Sequence, residues 1–264
     1  MSDVFLIDLN RQLAELFAKE HYAAGFALGR HILHHYPHHL PTYKQMGLAA
    51  LAAGLMADSV DLLQRALSVD PEDGEMWAAL HEAATRLDLH PDAEVAGAYA
   101  HDLLQFQAGD SFIARGHAAA RAKEWEKAYE AYRQGFLAHP ERMDAGLGLM
   151  TALFRQEQWR SVLKVAQRIL EELPYSLKAL WFTIRCVAEL GDDDSDSVKK
   201  YRRIAYSIDP DNIYARKWLD DASREILPKT KAKIAGWDPS ERWEYVDSII
   251  AAESSPGALG GAPS

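Results

Sequence analysis

Apolar residues recur at spacings of three and four along most of the chain, with polar residues between them. In one such segment Tyr43, Met46 and Ala50 are spaced in this way, and Leu63 and Ala66 follow in the next. A period near 3.6 residues predicts amphipathic helices, each with one face turned towards a core. Alternating runs of Val, Ile and Thr are scarce, and such runs are typical of strands. The pattern therefore predicts an all-α fold.

Proline residues punctuate these helical patterns at regular distances. They stand at Pro37, Pro71, Pro140, Pro174 and Pro210. The first two are 34 residues apart, the next two are again 34 apart, and the last follows after 36. The longer gap of 69 residues in the middle leaves room for one boundary without a proline, near 105–109. Because proline cannot continue a helix, each position predicts a joint between helices. A fixed period of this length is typical of a helical solenoid.

We place six repeats on this period. They cover 6–39, 40–73, 74–108, 109–142, 143–176 and 177–212. The fourth repeat carries an aromatic residue, a glycine, a small residue, a second aromatic residue and a closing proline, in the order Phe112, Gly116, Ala128, Tyr132 and Pro140. The second repeat has the corresponding order Tyr43, Gly47, Ser59, Leu63 and Pro71.

This motif resembles that of the tetratricopeptide repeat family. The resemblance implies a right-handed α-solenoid of about six helix–turn–helix units, whose first helices line a concave surface that commonly binds peptides. The third repeat departs from the pattern, because His81 stands where glycine is usual. Gly47 and Gly116 are expected to let the two helices of their hairpins approach closely, and stacked repeats are expected to bury each other's apolar faces.

The carboxy-terminal part differs from the repeats. Residues 213–227 predict a helical cap, so that solenoid and cap together span 6–227, and a basic connector follows at 228–238. Asp238, Pro239 and Glu241 predict the start of a short amphipathic helix over 239–252. That helix either caps the solenoid or docks onto a partner or a second copy of the chain, using Trp243, Val246, Ile249 and Ile250. Residues 253–264 predict a disordered tail.

Charge and composition narrow the class of function. With 39 acidic and 29 basic residues the net charge is −10, which argues against binding to nucleic acid. No apolar stretch is long enough to cross a bilayer, and the amino terminus lacks a basic and apolar leader. We therefore expect a cytoplasmic protein that binds neither membrane nor nucleic acid. The single cysteine, Cys186, cannot form an intrachain disulfide and is expected to be a buried structural thiol.

The sequence contains no recognisable catalytic or cofactor motif, so we predict a non-enzymatic protein without cofactors. The run from His31 to His39 holds five of the eleven histidines. His31, His34 and His35 share helical spacing, which leaves open a metal site, a pH-sensing role or only the end of a helix. The acidic turn at 192–196 does not follow the calcium-loop pattern and predicts a solvated turn.

The resemblance predicts which residues line the concave groove. They are Lys44, Arg86, Ile113, His117, Arg121, Phe154, Arg155, Trp181 and Arg185. Arg86, Arg121 and Arg155 occupy one position in three successive repeats and are expected to form a row. Either these arginines pair with acidic neighbours such as Glu82, or they bind acidic groups of a peptide or partner protein.

The function predicted from the sequence is therefore a protein-binding adaptor with this groove. The alternative is a structural subunit of a larger assembly, or a self-associating protein, that docks through the helix carrying Trp243.

Overall fold

The computed structural model describes residues 4–104, 111–191, 195–219 and 233–234. Within these residues, thirteen helices follow one another and a two-residue strand lies near each end. Their bounds are β1 Val4–Phe5, α1 Leu6–Ala18, α2 Tyr22–His35, α3 Leu40–Ala52, α4 Met56–Leu67, α5 Gly74–Arg86, α6 His90–Leu104, α7 Phe112–Arg121, α8 Trp125–Ala138, α9 Met143–Arg155, α10 Trp159–Glu172, α11 Leu177–Glu189, α12 Asp196–Ile208, α13 Ile213–Leu219 and β2 Lys233–Ile234. The all-α prediction is confirmed, because only the two short strands interrupt the helical pattern in the described chain.

The helices pair into hairpins on the predicted period. The pairs are α1 with α2, α3 with α4, α5 with α6, α7 with α8, α9 with α10 and α11 with α12. The first helices of the second, third, fifth and sixth repeats begin at the first residue of the range given by the proline period. In the fourth repeat the helix begins three residues later, at Phe112.

The turn inside every hairpin has the same backbone conformation. One residue in each turn has a positive φ, between 56° and 81°, at Glu20, Gly54, Asp88, Lys123, Glu157 and Gly191. Beside Gly54, the amide of Leu55 donates a hydrogen bond of 2.8 Å to the carbonyl of Ala50, which closes the end of α3. This is the left-handed helix end that glycine favours, although four of the six turns place another residue there. The period is therefore fixed by the turns as well as by the prolines.

Small residues bring the two helices of a hairpin together, as predicted. A Cβ atom on Gly47 would lie 2.8 Å from the side chain of Leu63, and one on Gly116 would lie 2.5 Å from Tyr132. The hydroxyl of Ser59 also donates a hydrogen bond of 2.9 Å to the carbonyl of Gly47. Larger residues at these crossings would push the helices apart.

The stacking of hairpins is interrupted after α6. The preceding hairpins pack through α2 with α3 and α4 with α5, whereas α6 makes only sparse contact with α7. In the described residues α5 and α7 make at most slight contact, whereas the first helices of the other neighbouring hairpins touch. The third and fourth hairpins are therefore less closely stacked than their neighbours.

Joints that are far apart in sequence meet elsewhere in the fold. The amide of Leu177 donates a hydrogen bond of 3.1 Å to the carbonyl of Val69, and Lys178 donates one of 2.6 Å to Glu72. The ring of His38 stacks on Tyr175, with 5.1 Å between their centroids. These contacts join the early repeats to the late ones, so the array closes on itself. One hydrophobic core then runs from α3 to α13.

The two strands connect the ends of the described chain. Val4 and Phe5 of β1 pair antiparallel with Ile234 and Lys233 of β2. A part of the predicted basic connector therefore lies beside the amino end of α1. The predicted helix over 239–252, the tail and most of the acidic turn lie outside the described residues, as do 220–227 of the cap and the boundary near 105–109.

Candidate functional site

The apolar residues predicted for the concave groove lie in the core. Trp181 is fully buried, with its ring 5.3 Å from that of Tyr206, and Ile113 is also buried. Phe154 stacks on Phe182 with 4.4 Å between ring centroids. The structure thus places these three side chains inside the protein and not on an open face.

Each arginine of the predicted row has a partner within the chain. Arg86 binds Glu82, one turn earlier on α5, with 2.5 Å between Nη2 and Oε1. The Nη2 group of Arg121 donates to the carbonyl of Leu103 at 3.3 Å. The Nη2 group of Arg155 donates to the carbonyl of Trp218 at 3.5 Å. The pairing of Arg86 with Glu82 is the one that the sequence offered as the alternative to ligand binding.

The other charged residues of the predicted groove are paired too. Lys44 contacts the carboxylates of Asp73 and Glu75, each at 2.7 Å. Arg185 forms an ion pair with Glu189, one turn later on α11.

A buried polar network lies where the third, fourth and fifth hairpins meet. At its centre, the Nε and Nη2 groups of Arg142 donate to the two carboxylate oxygens of Asp144, at 2.9 and 2.7 Å. Its Nη1 group donates to Asp102 at 2.9 Å, and its guanidinium carbon lies 4.0 Å from the ring centroid of Tyr99. The forked geometry is the strong form of an arginine–carboxylate pair. Arg142 therefore connects α6 to the start of α9.

Two further side chains extend the network to α7 and α8. His117 Nε2 lies 3.5 Å from Asp144 Oδ2, and the hydroxyl of Tyr132 lies 2.8 Å from His117 Nδ1. Burial by itself would raise the pKa of Asp144, but hydrogen bonds from His117 and Arg142 lower it below the ordinary value. Burial raises the pKa of the Tyr132 hydroxyl. Asp144 is thus held as a carboxylate in the interior.

Of the residues in this network, only His117 was predicted from the sequence as a site residue. One signal was present, because Asp144 is a carboxylate within the otherwise apolar run MDAGLGLM of α9. A buried charge nearly always has a charged partner. Its forked partner, Arg142, stands only two residues earlier, but the link to Asp102 could not be identified from the sequence, since Asp102 lies 40 residues from Arg142.

A cleft opens beside this network, between α6 on one side and α7, α8 and the joint before α9 on the other. We call it the junction cleft, and its volume is about 680 Å³. It is lined by Val95, Ala98, Tyr99, Asp102, Ser111, Phe112, Ile113, Gly135, Ala138, His139, Glu141 and Arg142. Val95 is 54% exposed and Phe112 is 39% exposed. The cleft therefore combines accessible apolar walls with the paired charges of Asp102 and Arg142.

A smaller cavity adjoins the junction cleft and shares Val95, Tyr99 and Glu141 with it. We call it the slot, and its volume is about 360 Å³. Its remaining lining residues are Gln64, Leu67, Ser68, Pro71, Trp77, Leu80, Asp92, Met143 and Leu173. The rings of Trp77 and Tyr99 stack in its wall with 4.2 Å between centroids.

The histidine run lies at the end of α2 and the joint that follows. The rings of His31 and His35 are 5.0 Å apart, but no described group of three or more His, Cys, Asp or Glu side chains could hold a metal ion. His39 is buried with Nδ1 at 2.8 Å from the hydroxyl of Thr42, and burial lowers its pKa to about 3. Cys186 is buried as predicted, and burial raises its pKa to about 12.

The repeat architecture of the described chain indicates the class of fold. Helical hairpins follow a 34-residue period, glycines lie at hairpin crossings, and the same turn conformation recurs in each unit. The described chain is an array of helical hairpins that resembles the tetratricopeptide repeat. None of the helices in this described part is both long and apolar enough to cross a membrane.

Comparison with known proteins finds only distant structural matches. No protein-family model matches the repeat protein, and no curated protein matches it. Among solved structures, MamA is 16% identical, with 66% of this chain and 94% of that chain covered and a TM-score of 0.34. YrrB, described as a TPR protein with an unusual peptide-binding site, is 12% identical, with 70% and 94% covered and a TM-score of 0.36. Pseudomonas aeruginosa PilF is 12% identical, with 80% and 97% covered and a TM-score of 0.37. The assignment rests on the chain's own hairpins, because such TM-scores do not establish a shared fold.

Proposed function

We propose that this protein is a non-enzymatic scaffold that binds a segment of a partner protein in the junction cleft. The observation that carries the proposal is the exposed apolar face of α6. Val95 is 54% exposed at the place where a closely stacked fourth hairpin would cover it. Apolar surface beside a concave cavity is the usual setting for a binding site.

The walls of the junction cleft suit an apolar segment of protein. Phe112 projects from the first turn of α7, and the guanidinium carbon of Arg115 lies 4.3 Å from its ring centroid. Ala98 and Ala138 leave room between the helices on which they lie. A partner side chain that enters here buries apolar area, which contributes about 25 cal/mol per Å² before the costs of association.

The floor of the junction cleft is rigid, which favours binding. Two carboxylates hold Arg142 in place, and one of them, Asp102, lies on α6. Ser111 caps α7 by accepting a hydrogen bond of 3.0 Å from the amide of Ala114. A binding surface held in place by such bonds loses little conformational entropy when a partner is bound.

These same bonds support a non-enzymatic role. The hydroxyl of Ser111 is engaged by the amide of Ala114 and lies 3.4 Å from Asp102, and no hydrogen bond joins it to a histidine among the described residues. The charge of Arg142 is neutralised by Asp102 and Asp144. The polar groups of the junction cleft thus stabilise the fold and are not arranged as nucleophile and base.

The proposal is tested by blocking the junction cleft with charge. Peptides selected from a random twelve-residue display library on the full chain are titrated against Val95→Arg and against Leu137→Arg. Leu137 is 71% exposed but lies outside the cavity lining, so it is a matched control. We expect Val95→Arg to weaken binding by at least about tenfold while Leu137→Arg does not. Equal affinities for the two variants contradict the proposed site.

The acid-binding groove and the docking helix predicted from the sequence are tested in the same assay. Arg121→Glu should weaken binding if the partner carries acidic groups that contact the arginine row. Deletion of residues 237–264 should abolish partner binding or self-association if the helix with Trp243 makes the main contact. Binding in the junction cleft predicts that neither change has an effect.

A further inference from the structure

We propose that the slot beside the junction cleft accepts a lysine or arginine side chain of the bound segment. This inference rests on the proposed function and adds the chemistry of the partner. It is opposite in sign to the acidic partner that the arginine row suggested from the sequence. Three features of the slot support this preference for a basic side chain. The slot has apolar walls, it has two carboxylates, and its lining contains no lysine.

The walls of the slot can bury the aliphatic part of a long side chain. Leu67, Leu80 and Met143 contribute apolar surface, and Trp77 contributes its indole. The Nε1 group of Trp77 already donates a hydrogen bond of 2.9 Å to the carbonyl of Pro71. The indole therefore needs no polar partner from a ligand, and its remaining surface is apolar.

The charged side chains that line the slot are both carboxylates. Asp92 belongs to the first turn of α6, and Glu141 lies in the joint before α9. No ion pair forms on Asp92 in the described part of the chain, and the exposed carboxylate of Glu141 lies 3.2 Å from the imidazole of His139. The nearby Arg142 is bound to Asp102 and Asp144, and it lines the junction cleft but not the slot. The slot thus combines apolar walls with two solvent-exposed carboxylates.

This combination matches only one class of side chain well. Lysine and arginine bury an aliphatic stem against apolar surface while the charged end remains near water or a carboxylate. A glutamate in the slot would add a third negative charge beside Asp92 and Glu141, which is unfavourable at short range. A leucine would contact the walls but would leave the carboxylates without a partner. The net charge of −10 also attracts basic segments from a distance.

The test uses nine-residue peptides of defined composition. The central residue is Lys, Arg, Leu or Glu, and the flanking positions are an equal mixture of Leu, Ala, Ser and Gln. Affinities for the full chain are measured by fluorescence polarisation at low and high salt. We expect the Lys and Arg peptides to bind at least about tenfold more tightly than the Glu peptides, with a difference that shrinks as salt rises.

Two double variants locate the preference. Asp92→Asn combined with Glu141→Gln should abolish the preference for Lys and Arg, because it removes both carboxylates but keeps the size of each side chain. Asp58→Asn combined with Glu126→Gln changes the net charge equally at exposed positions outside the slot, and the preference should persist. A preference that survives the first pair, or that disappears equally with the second pair, overturns the inference.

The outcomes also separate this inference from the proposed function. If all four peptides bind equally and Val95→Arg still weakens binding, the junction cleft is a binding site but the slot does not select basic residues. If Val95→Arg has no effect on any peptide, both proposals fail. Tighter binding of the Glu peptides supports the acid-binding groove instead.

Discussion

Replacing Arg142 with methionine should destabilise the protein strongly. The substitution keeps most of the side-chain volume but leaves Asp144 as a buried carboxylate without its forked partner, and it removes the bond to Asp102. The side chain of Asp144 is 0% exposed and that of Arg142 only 13% exposed. Removing one partner of a buried ion pair costs about 3–5 kcal/mol, because the remaining charge is not solvated. The loss is a large fraction of a typical free energy of unfolding of about 5–15 kcal/mol.

Urea denaturation followed by tryptophan fluorescence measures this loss. The matched control is Arg65→Met, since Arg65 pairs with Asp61 on α4 but both side chains are more than half exposed. The control should change the free energy of unfolding by less than about 1 kcal/mol. A similarly small change for Arg142→Met would refute the reasoning that the network stabilises the fold.

The pH dependence gives a second check on the same network. In the wild type the pKa of Asp144 is lowered, so the stability that it contributes is present above its unfolded pKa and is lost as the pH falls through the folded value. Without Arg142, burial should dominate and raise the pKa of Asp144. The deficit of the Arg142→Met variant should therefore shrink as the pH is lowered from 7 towards 5. A deficit that grows over this range contradicts the assignment.

Three other predictions concern the turns, a buried acid and the cysteine. Gly54→Ala should lower the free energy of unfolding measured by urea denaturation by about 1 kcal/mol. The cost comes from the backbone, because φ is +81° and the added Cβ would contact no other atom. Glu157→Gly at the equivalent turn should be neutral or stabilising. Burial raises the pKa of Asp70 to about 6. Asp70→Asn should therefore stabilise the protein by about 1–3 kcal/mol above pH 6. This gain should disappear below pH 4, because the acid is then protonated in both the folded and the unfolded state. Cys186 should react with a thiol reagent only as fast as the protein opens, and rapid labelling of the native protein would contradict its burial.

Several features of the fold were accessible from the sequence because they depend on neighbouring residues. Pro37 and Pro71 follow the ends of α2 and α4, and proline restricts the backbone only of residues within about one helical turn of itself. The crossing glycines Gly47 and Gly116 were also predicted, since hairpin helices are close in sequence and the family resemblance gives their register. The recurring left-handed turns were not predicted, because four of the six carry residues such as Lys123 that do not mark this conformation.

The predicted site depends on tertiary packing more than the predicted fold does. The resemblance gave a row of Arg86, Arg121 and Arg155 on first helices, but not the groups that bind each guanidinium. The sequence also gave no indication that Trp181 is fully buried. Exposure depends on which hairpins pack together, and the helical period does not determine this.

The sequence alone determined the helices, their pairing into hairpins and the 34-residue period, because propensity, proline and turn geometry act over a few residues. Only the tertiary structure decided where the array closes and where it opens. Glu72 binds Lys178 across 106 residues, and Asp102 binds Arg142 across 40. The junction cleft and the slot lie where distant contacts such as that of Asp102 with Arg142 bring α6 next to the joint before α9. No local pattern encodes those contacts, since each depends on the summed geometry of all the repeats between the two residues.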